Sequence, residues 1–321
     1  MDLTSLYYFA EVAKDLHITR TANRLYISQQ TLSNHIQRLE EHFGAQLLNR
    51  RPRLSLTYAG EFVLAFAEVV MKEQTNLSDI LSDIEQSERG TIRFGASSMR
   101  MNTLAFILPE FSERYPNVEL RLTSIISSQL EPLVSSGELD FAIVTAGKKD
   151  ADLIQEELMQ DQLYLCVSDP LLYRYYGEQA EEIKRRSLEG AQVKDFARLP
   201  FCIFSNYMGQ LIHNCFEEAK FSPKTRLTSQ YTQICTTVGF QGGAAFFASH
   251  ANLTNRRSEI PENMNIFPLL YQGEPMYLQV SLLRHRQRYL PHYAKYFLDL
   301  LSSYCAATEH TPISRLAKTN I

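Results

Sequence analysis

The residues best suited to chemistry lie close together near the start of the chain. Ser28, Gln29, Gln30, Thr31, Ser33, Asn34, Gln37 and Arg38 fall on one side of a helical repeat whose other side carries Leu32, Ile36 and Leu39. Their chemistry is hydrogen bonding rather than bond making. Gln and Asn pair with adenine through two hydrogen bonds, Arg does the same with guanine, and a Thr methyl meets the methyl of thymine. Ser28 caps the helix, and the N–H groups beyond it suit a phosphate. Arg50, Arg51 and Arg53 follow at the tip of a hairpin read over 47–57, a basic wing suited to phosphates or a narrow minor groove. Any one of these features alone reads as a solvated surface. Together, in this order, they point to duplex DNA.

Positioning this face takes three helices and a turn. Leu3, Leu6, Phe9, Val12 and Ala13 step at helical spacing, and 18–25 supplies a second, short helix with Thr19 as its expected cap. Tyr26-Ile27 makes the turn into the third helix, giving a helix-turn-helix. Local charge agrees: over 17–58, Arg20, Arg24, Arg38, Arg50, Arg51 and Arg53 are set against Glu40 and Glu41 alone. The sign then reverses. Over 61–88, Glu61, Glu68, Glu73, Asp79, Asp83, Glu85 and Glu88 outnumber Lys72. Phe62, Phe66, Val69, Val70, Leu77, Ile80, Leu81 and Ile84 recur there at three- and four-residue steps, with no Pro or Gly between Gly60 and Gly90. A helix of about 28 residues spans about 42 Å, more than a small domain covers, so its apolar stripe is expected to pack on a second chain.

After Gly90 strands and helices alternate: strands at 92–96, 118–122, 141–144, 163–167, 201–204, 244–247 and 278–283, and helices at 104–115, 130–136, 210–219, 231–240 and 293–304. This predicts a mostly parallel α/β sheet, which places ligands at the carboxyl ends of its strands. Residues 171–190 read as an extra exposed, charged helix.

The composition of the 321 residues, 45% hydrophobic and 21% charged with a net charge of −4, is that of an ordinary globular chain of two or three domains. No apolar run reaches the ~18 residues of a membrane span. Asp2 stands where a secretory leader carries positive charge, so the chain is expected to stay in the cytoplasm. The five cysteines, Cys166, Cys202, Cys215, Cys235 and Cys305, form neither a disulfide framework nor a zinc motif. Cys202 reads as a buried strand residue, with a redox pair to Cys215 as the alternative. No nucleophile elbow, phosphate-binding Lys loop or His-Glu-x-x-His motif is present, so no enzyme, metal site or cofactor is expected.

Ser28-Gln29-Gln30-Thr31-Leu32-Ser33, Ile36, Leu39-Glu40, Gly44, Leu47, Arg50, Leu56-Thr57 and Ala59-Gly60 resemble the amino-terminal signature of the LysR-type transcriptional regulators. The 137–143 segment and 277–301 resemble later parts of that family. The resemblance implies an α/β chain: an N-terminal winged helix-turn-helix (1–58), a long linker helix that dimerises (59–89), and a C-terminal two-lobed, periplasmic-binding-protein-like domain (90–305). Its lobe I would be 90–166 with 268–305 and its lobe II 167–267, leaving a tail at 306–321. It further implies DNA contacts from Ser28, Gln29, Gln30, Thr31, Ser33, Asn34, Arg38, Arg50 and Arg53. Gln30 stands where the family often has Pro, and Asn34 where Arg is common, so a base preference does not carry over. Gln241 and Ala248 replace the usual Gly and Pro of their segment.

An effector cleft between the lobes would be lined by residues after strand ends: Ser97, Ser98, Arg100, Ser127, Ser128, Thr145, Ser205, Asn206 and Thr232. Hydroxyls and free helix N–H groups suit an anionic small molecule. The partners implied are double-stranded DNA, that effector, a second or fourth copy of the chain, and RNA polymerase, all in the cytoplasm at the nucleoid. Two alternatives are a cytosolic solute-binding module without a DNA role, and a redox-controlled regulator using Cys202.

Overall fold

Each short helix at the amino terminus is set by the residue that closes its end. The computed structural model describes residues 2–51, 53–84, 89–145 and 150–313, the side chains of 82–84 excepted. The chain divides into two compact units, residues 1–87 and 88–321. In the first, α1 (Leu3–Asp15) is capped by Asp2, which accepts the Ser5 N–H at 2.7 Å, and it stops where Leu16 turns left-handed. α2 (Ile18–Arg24) is capped by His17 and not by Thr19, since His17 Nδ1 accepts the Arg20 N–H at 3.2 Å. The Thr19 hydroxyl instead donates to Gln29 Oε1 at 3.1 Å, across the turn. Tyr26 makes that turn at φ 55°, and Ser28 caps α3 (Gln29–Phe43) by accepting the Thr31 N–H at 3.0 Å.

Leu6, Phe9, Leu32, Ile36 and Leu39 meet in the core of this unit, as the helical spacing predicts. Burying each is worth about 1.5–3 kcal/mol. β1 (Leu48–Asn49) and β2 (Ser55–Leu56) pair antiparallel as the wing, and α4 (Tyr58–Ile84) leaves it directly. A Cβ at Gly60 would stand 2.1 Å from the Leu47 carbonyl oxygen, so only glycine lets α4 pass this close to the wing. Ala67, Val63 and Val70 of α4 pack on the core. Tyr58, Phe62, Phe66, Val69, Leu77 and Leu81 are exposed, an apolar row along the helix. Glu85 and Glu88 of the acidic segment lie outside the described residues.

The second unit begins with β3 (Arg89–Ala96), α5 (Ser98–Met101), α6 (Leu104–Arg114), β4 (Asn117–Ser124), α7 (Ser127–Ser135) and β5 (Phe141–Thr145). β6 (Leu153–Ser168) follows, then α8 (Asp169–Tyr176), α9 (Ala180–Ser187), β7 (Pro200–Phe204), α10 (Tyr207–Glu218), β8 (Lys224–Ser229) and α11 (Thr232–Phe240). It closes with β9 (Phe246–Ser249), α12 (His250–Asn255), β10 (Met264–Pro268), the hairpin β11 (Leu270–Tyr271) and β12 (Glu274–Pro275), β13 (Tyr277–His285) and α13 (His292–Glu309).

The main sheet runs β10-β6-β13-β5-β3-β4, with β9 also on β6. Only β3–β4 and β3–β5 are parallel within it; the other pairings are antiparallel, which corrects the expectation of a mostly parallel sheet. The cause is β6, 16 residues long where only 163–167 read as a strand. Its first half holds Gln155, Glu156 and Glu157 at exposed positions, which hides the strand from a hydropathy pattern, and it pairs antiparallel with β13. Its second half, from Leu163, enters a different core, shared with β7, α10, β9 and β10. One strand thus belongs to both lobes.

The charged segment 171–190 forms α8 and α9 rather than one helix, joined by a short 3-10 turn. Leu171, Leu172, Ala180 and Ile183 are buried in the second core. The surface charges pair among themselves: Lys184 with Asp169 and Glu181, Arg185 with Glu182, Arg186 with Asp195.

Candidate functional site

In the first unit the outward face of α3 is polar. Ser28, Gln29, Gln30, Thr31, Asn34, Gln37 and Arg38 are exposed and Ser33 is half-buried. Gln37 donates to Glu41 at 2.9 Å, which orders that side chain along the helix. Arg50, Arg51 and Arg53 are exposed in the loop between the wing strands; Pro52 lies outside the described residues. The counted basic charge is smaller than the sequence suggested at two positions. Arg24 is bonded to Glu11 and Asp15, and Arg20 Nη2 donates to the Asp15 carbonyl at 2.6 Å. These pairs brace α1 against α2, and the Arg24 guanidinium and Thr21 hydroxyl hold the Asp15 carboxyl below its ordinary range.

Sequence reasoning missed two residues here. Tyr26, treated only as a turn, is 96% exposed at the tip beside α3. Glu40, named in the family signature but given no role, accepts the Leu47 and Leu48 N–H groups at 2.9 and 3.3 Å through Oε1, and Arg50 stands 3.6 Å from its Oε2. It ties the recognition helix to the wing. The signal was positional: an acid on the half-buried side of α3, one residue beyond Leu39.

In the second unit a cavity of about 690 Å³ lies between the two cores. Ser97, Ser98, Ser127, Ser128, Thr145, Ser205 and Asn206 all line it. The amino ends of α7, α10 and α11 converge there. Asn206 caps α10 by accepting the Gly209 N–H at 3.1 Å, and a Cβ at Gly209 would stand 1.9 Å from the Phe204 carbonyl oxygen. α7 and α11 have no side-chain cap, because Ile126 and Tyr231 occupy those positions. The Ser127 hydroxyl is already engaged, accepting the Thr145 N–H at 3.0 Å. Among the described residues the lining carries no Lys, Arg, His, Asp or Glu.

Two expected residues lie elsewhere. Arg100 is buried in an ion pair with Asp161 and faces a separate cavity, so it adds no charge to the cleft. Thr232 is buried at the start of α11, where its carbonyl accepts the Thr236 hydroxyl; Gln230 and Tyr231 line the cleft in its place. Ile126, Tyr207, Met208 and Gln210 also line it and were missed. Ile126, Tyr207 and Met208 lie close to strand ends where only polar residues were sought, and Gln210 lies a turn into α10, beyond the strand end.

All five cysteines are buried. None is in a disulfide, and the thiol that Cys202 interacts with is that of Cys235 rather than Cys215, an interaction that holds the Cys202 thiol below the usual range. Burial pushes Cys215 up to about 12. Among the described residues no cluster of His, Cys, Asp and Glu suits a metal, and no helix is long and apolar enough to cross a membrane.

The family models cover both units. Residues 3–61 match the bacterial regulatory helix-turn-helix protein of the lysR family, and residues 85–306 match the LysR substrate binding domain. The chain belongs to the LysR family. It is a DNA-binding transcriptional regulator with an effector-binding domain, which removes the alternative of a solute-binding module without a DNA role. The Hca operon transcriptional activator HcaR of Escherichia coli (strain K12) is 34% identical over 246 residues, covering 75% of this chain and 79% of HcaR. A full-length OxyR variant from Pseudomonas aeruginosa has the same fold, with a TM-score of 0.65 at 17% identity over 95% of this chain and 94% of that one. CbnR solved in complex with its target DNA is similar at a TM-score of 0.57 and 16% identity, over 95% of this chain and 100% of that one. In this LysR-type chain the first match lies within the first unit, which also holds most of α4, and the second lies almost wholly within the second unit.

Proposed function

We propose that this regulator reads DNA with the exposed face of α3 and holds it with the wing. Gln29, Gln30, Thr31, Ser33, Asn34 and Arg38 would contact base edges, Ser28 and the first turn of α3 a phosphate, and Arg50 and Arg53 the backbone or minor groove. The observation that carries this reading is the uninterrupted polar, exposed side of α3 beside three exposed wing arginines. Residues 1–58 would serve DNA, 59–89 chain pairing and 90–305 the effector. The apolar row Tyr58, Phe62, Phe66, Val69, Leu77 and Leu81 would pack against a second copy, in a dimer or in a tetramer made of two such dimers. Two recognition helices so paired call for half-sites about one helical turn, or a multiple of it, apart. The effector would be a small anion held in the 690 Å³ cavity by the uncapped amino ends of α7 and α11 and by hydroxyls. We place the protein in the cytoplasm at the nucleoid, without catalytic activity, and with RNA polymerase as a further partner.

A gel-shift series tests the DNA reading. Affinity falls steeply with added salt as arginines displace counterions. Arg53→Ala weakens binding to every sequence alike and lowers the salt slope by about one, whereas Asn34→Ala relaxes preference at particular bases by about 1–3 kcal/mol. If both variants bind as the wild type does, this face is not the one that meets DNA. Calorimetry with a metabolite panel tests the cleft; heat from neutral or cationic compounds alone rejects an anionic effector.

A further inference from the structure

The side of α5 that turns away from the cleft carries a second site. We propose that the cavity of about 220 Å³ walled by Arg100 and Arg256 binds a small oxyanion, of the class of phosphate, sulfate or a carboxylate group. This inference does not rest on the DNA reading.

The argument begins with an arginine whose hydrogen bonding is incomplete. The Arg100 side chain is 3% exposed. Its Nη1 donates to Asp161, whose other oxygen accepts the Ala251 N–H at 2.9 Å. That leaves Arg100 Nε and Nη2 buried with no acceptor. A guanidinium is always charged and carries five N–H donors, so an unmatched buried edge is costly, more so than for a neutral group. Arg256, on the facing wall, repeats the pattern. Its Nε and Nη2 donate to Glu259 and its Cζ lies 5.3 Å from the centre of the Phe240 ring, yet Nη1 is buried without a partner. Both arginines line the same cavity.

The rest of the wall suits an oxyanion as well. Asn102, Thr103, Gln233 and Asn252 bring amide and hydroxyl donors. Glu259 is the single acid in the lining and is matched by Arg256, while Asp161 neutralises Arg100 from behind, so the lining offers unpaired N–H donors and no unmatched carboxylate. Asp161 takes up Nη1 alone and leaves the Nε–Nη2 edge unpaired. A planar or tetrahedral oxyanion presents two or more acceptor oxygens to a guanidinium edge, the geometry the open Nε–Nη2 side of Arg100 lacks a partner for. The volume is below that of pockets for drug-sized ligands and fits an ion of this size with a few waters.

Calorimetric titration of the full chain without DNA, using inorganic phosphate and sulfate at constant ionic strength, reads the site. One saturable event per chain is expected, retained in Arg53→Ala, which excludes phosphate on the wing. Arg100→Lys keeps a cation beside Asp161 but removes the open edge, and should weaken phosphate at least tenfold. Asn252→Asp, a milder change at a half-buried position, puts a carboxylate in the wall and should weaken it severalfold while circular dichroism stays native. No saturable event with either ion overturns the proposal. So does a saturable event that Arg100→Lys and Asn252→Asp leave unchanged. Wild-type DNA binding by Arg53→Ala and Asn34→Ala, with phosphate still bound, would refute the α3 assignment and leave this one standing.

Discussion

The polar face of α3 and the cleft of the second unit are built on opposite plans. The α3 face comes from one short run of chain, and every group in it is placed by its own helix or the adjoining wing. The cleft is assembled from six separated stretches, near 97, 126, 145, 206, 230 and 278, brought together by the two cores. A surface made locally tolerates substitution one position at a time, because each side chain is exposed and few contacts depend on it. A cleft made of distant segments depends on the packing behind it. The two differ in charge as well: the first is held by guanidinium groups, the second by helix ends and hydroxyls without a charged side chain among its described lining.

Substitutions can set the two regions against each other. The largest effect is expected for Phe9→Ala, which empties a fully buried site in the first unit and should cost about 3–5 kcal/mol. Thermal unfolding should then show an early transition with loss of DNA binding, while ligand binding in the cleft persists; a single transition that removes both would break the comparison. A smaller effect is expected for Asn206→Ala. Loss of the α10 cap costs about 1 kcal/mol and should alter the affinity of any cleft ligand, leaving DNA binding in the absence of that ligand as it was. Smallest is an acid effect on the first unit. The Asp15 carboxyl is held below its ordinary value of 3.8 by Arg24 and Thr21, so it contributes stability above that pH, and the contribution disappears as pH falls through the lowered value. Asp15→Asn should flatten that part of the acid profile measured by circular dichroism.

This contrast also explains what was legible in the sequence. The Ser28 cap, the inward Leu32, Ile36 and Leu39 and the wing arginines were readable because cap, period and turn are local rules. Even there Thr19 misled, since a histidine nitrogen took the capping role and freed the hydroxyl for Gln29. In the second unit the strand ends were readable as hydroxyl-rich stretches, and seven of the nine chosen residues share one cavity. Arg100 was not readable, because its partner Asp161 stands 61 positions away on a strand whose polar first half hides it. The sheet direction failed for the same reason: hydropathy marks where strands are, not which neighbour a long strand joins.

Glu40 has a consequence for how the protein holds a duplex. Because a single carboxylate clasps the backbone of the wing while rooted in α3, the helix proposed to read the groove and the arginine loop are geared together. A shove on one is transmitted to the other, so grip and sequence discrimination should rise and fall in step rather than be tuned apart.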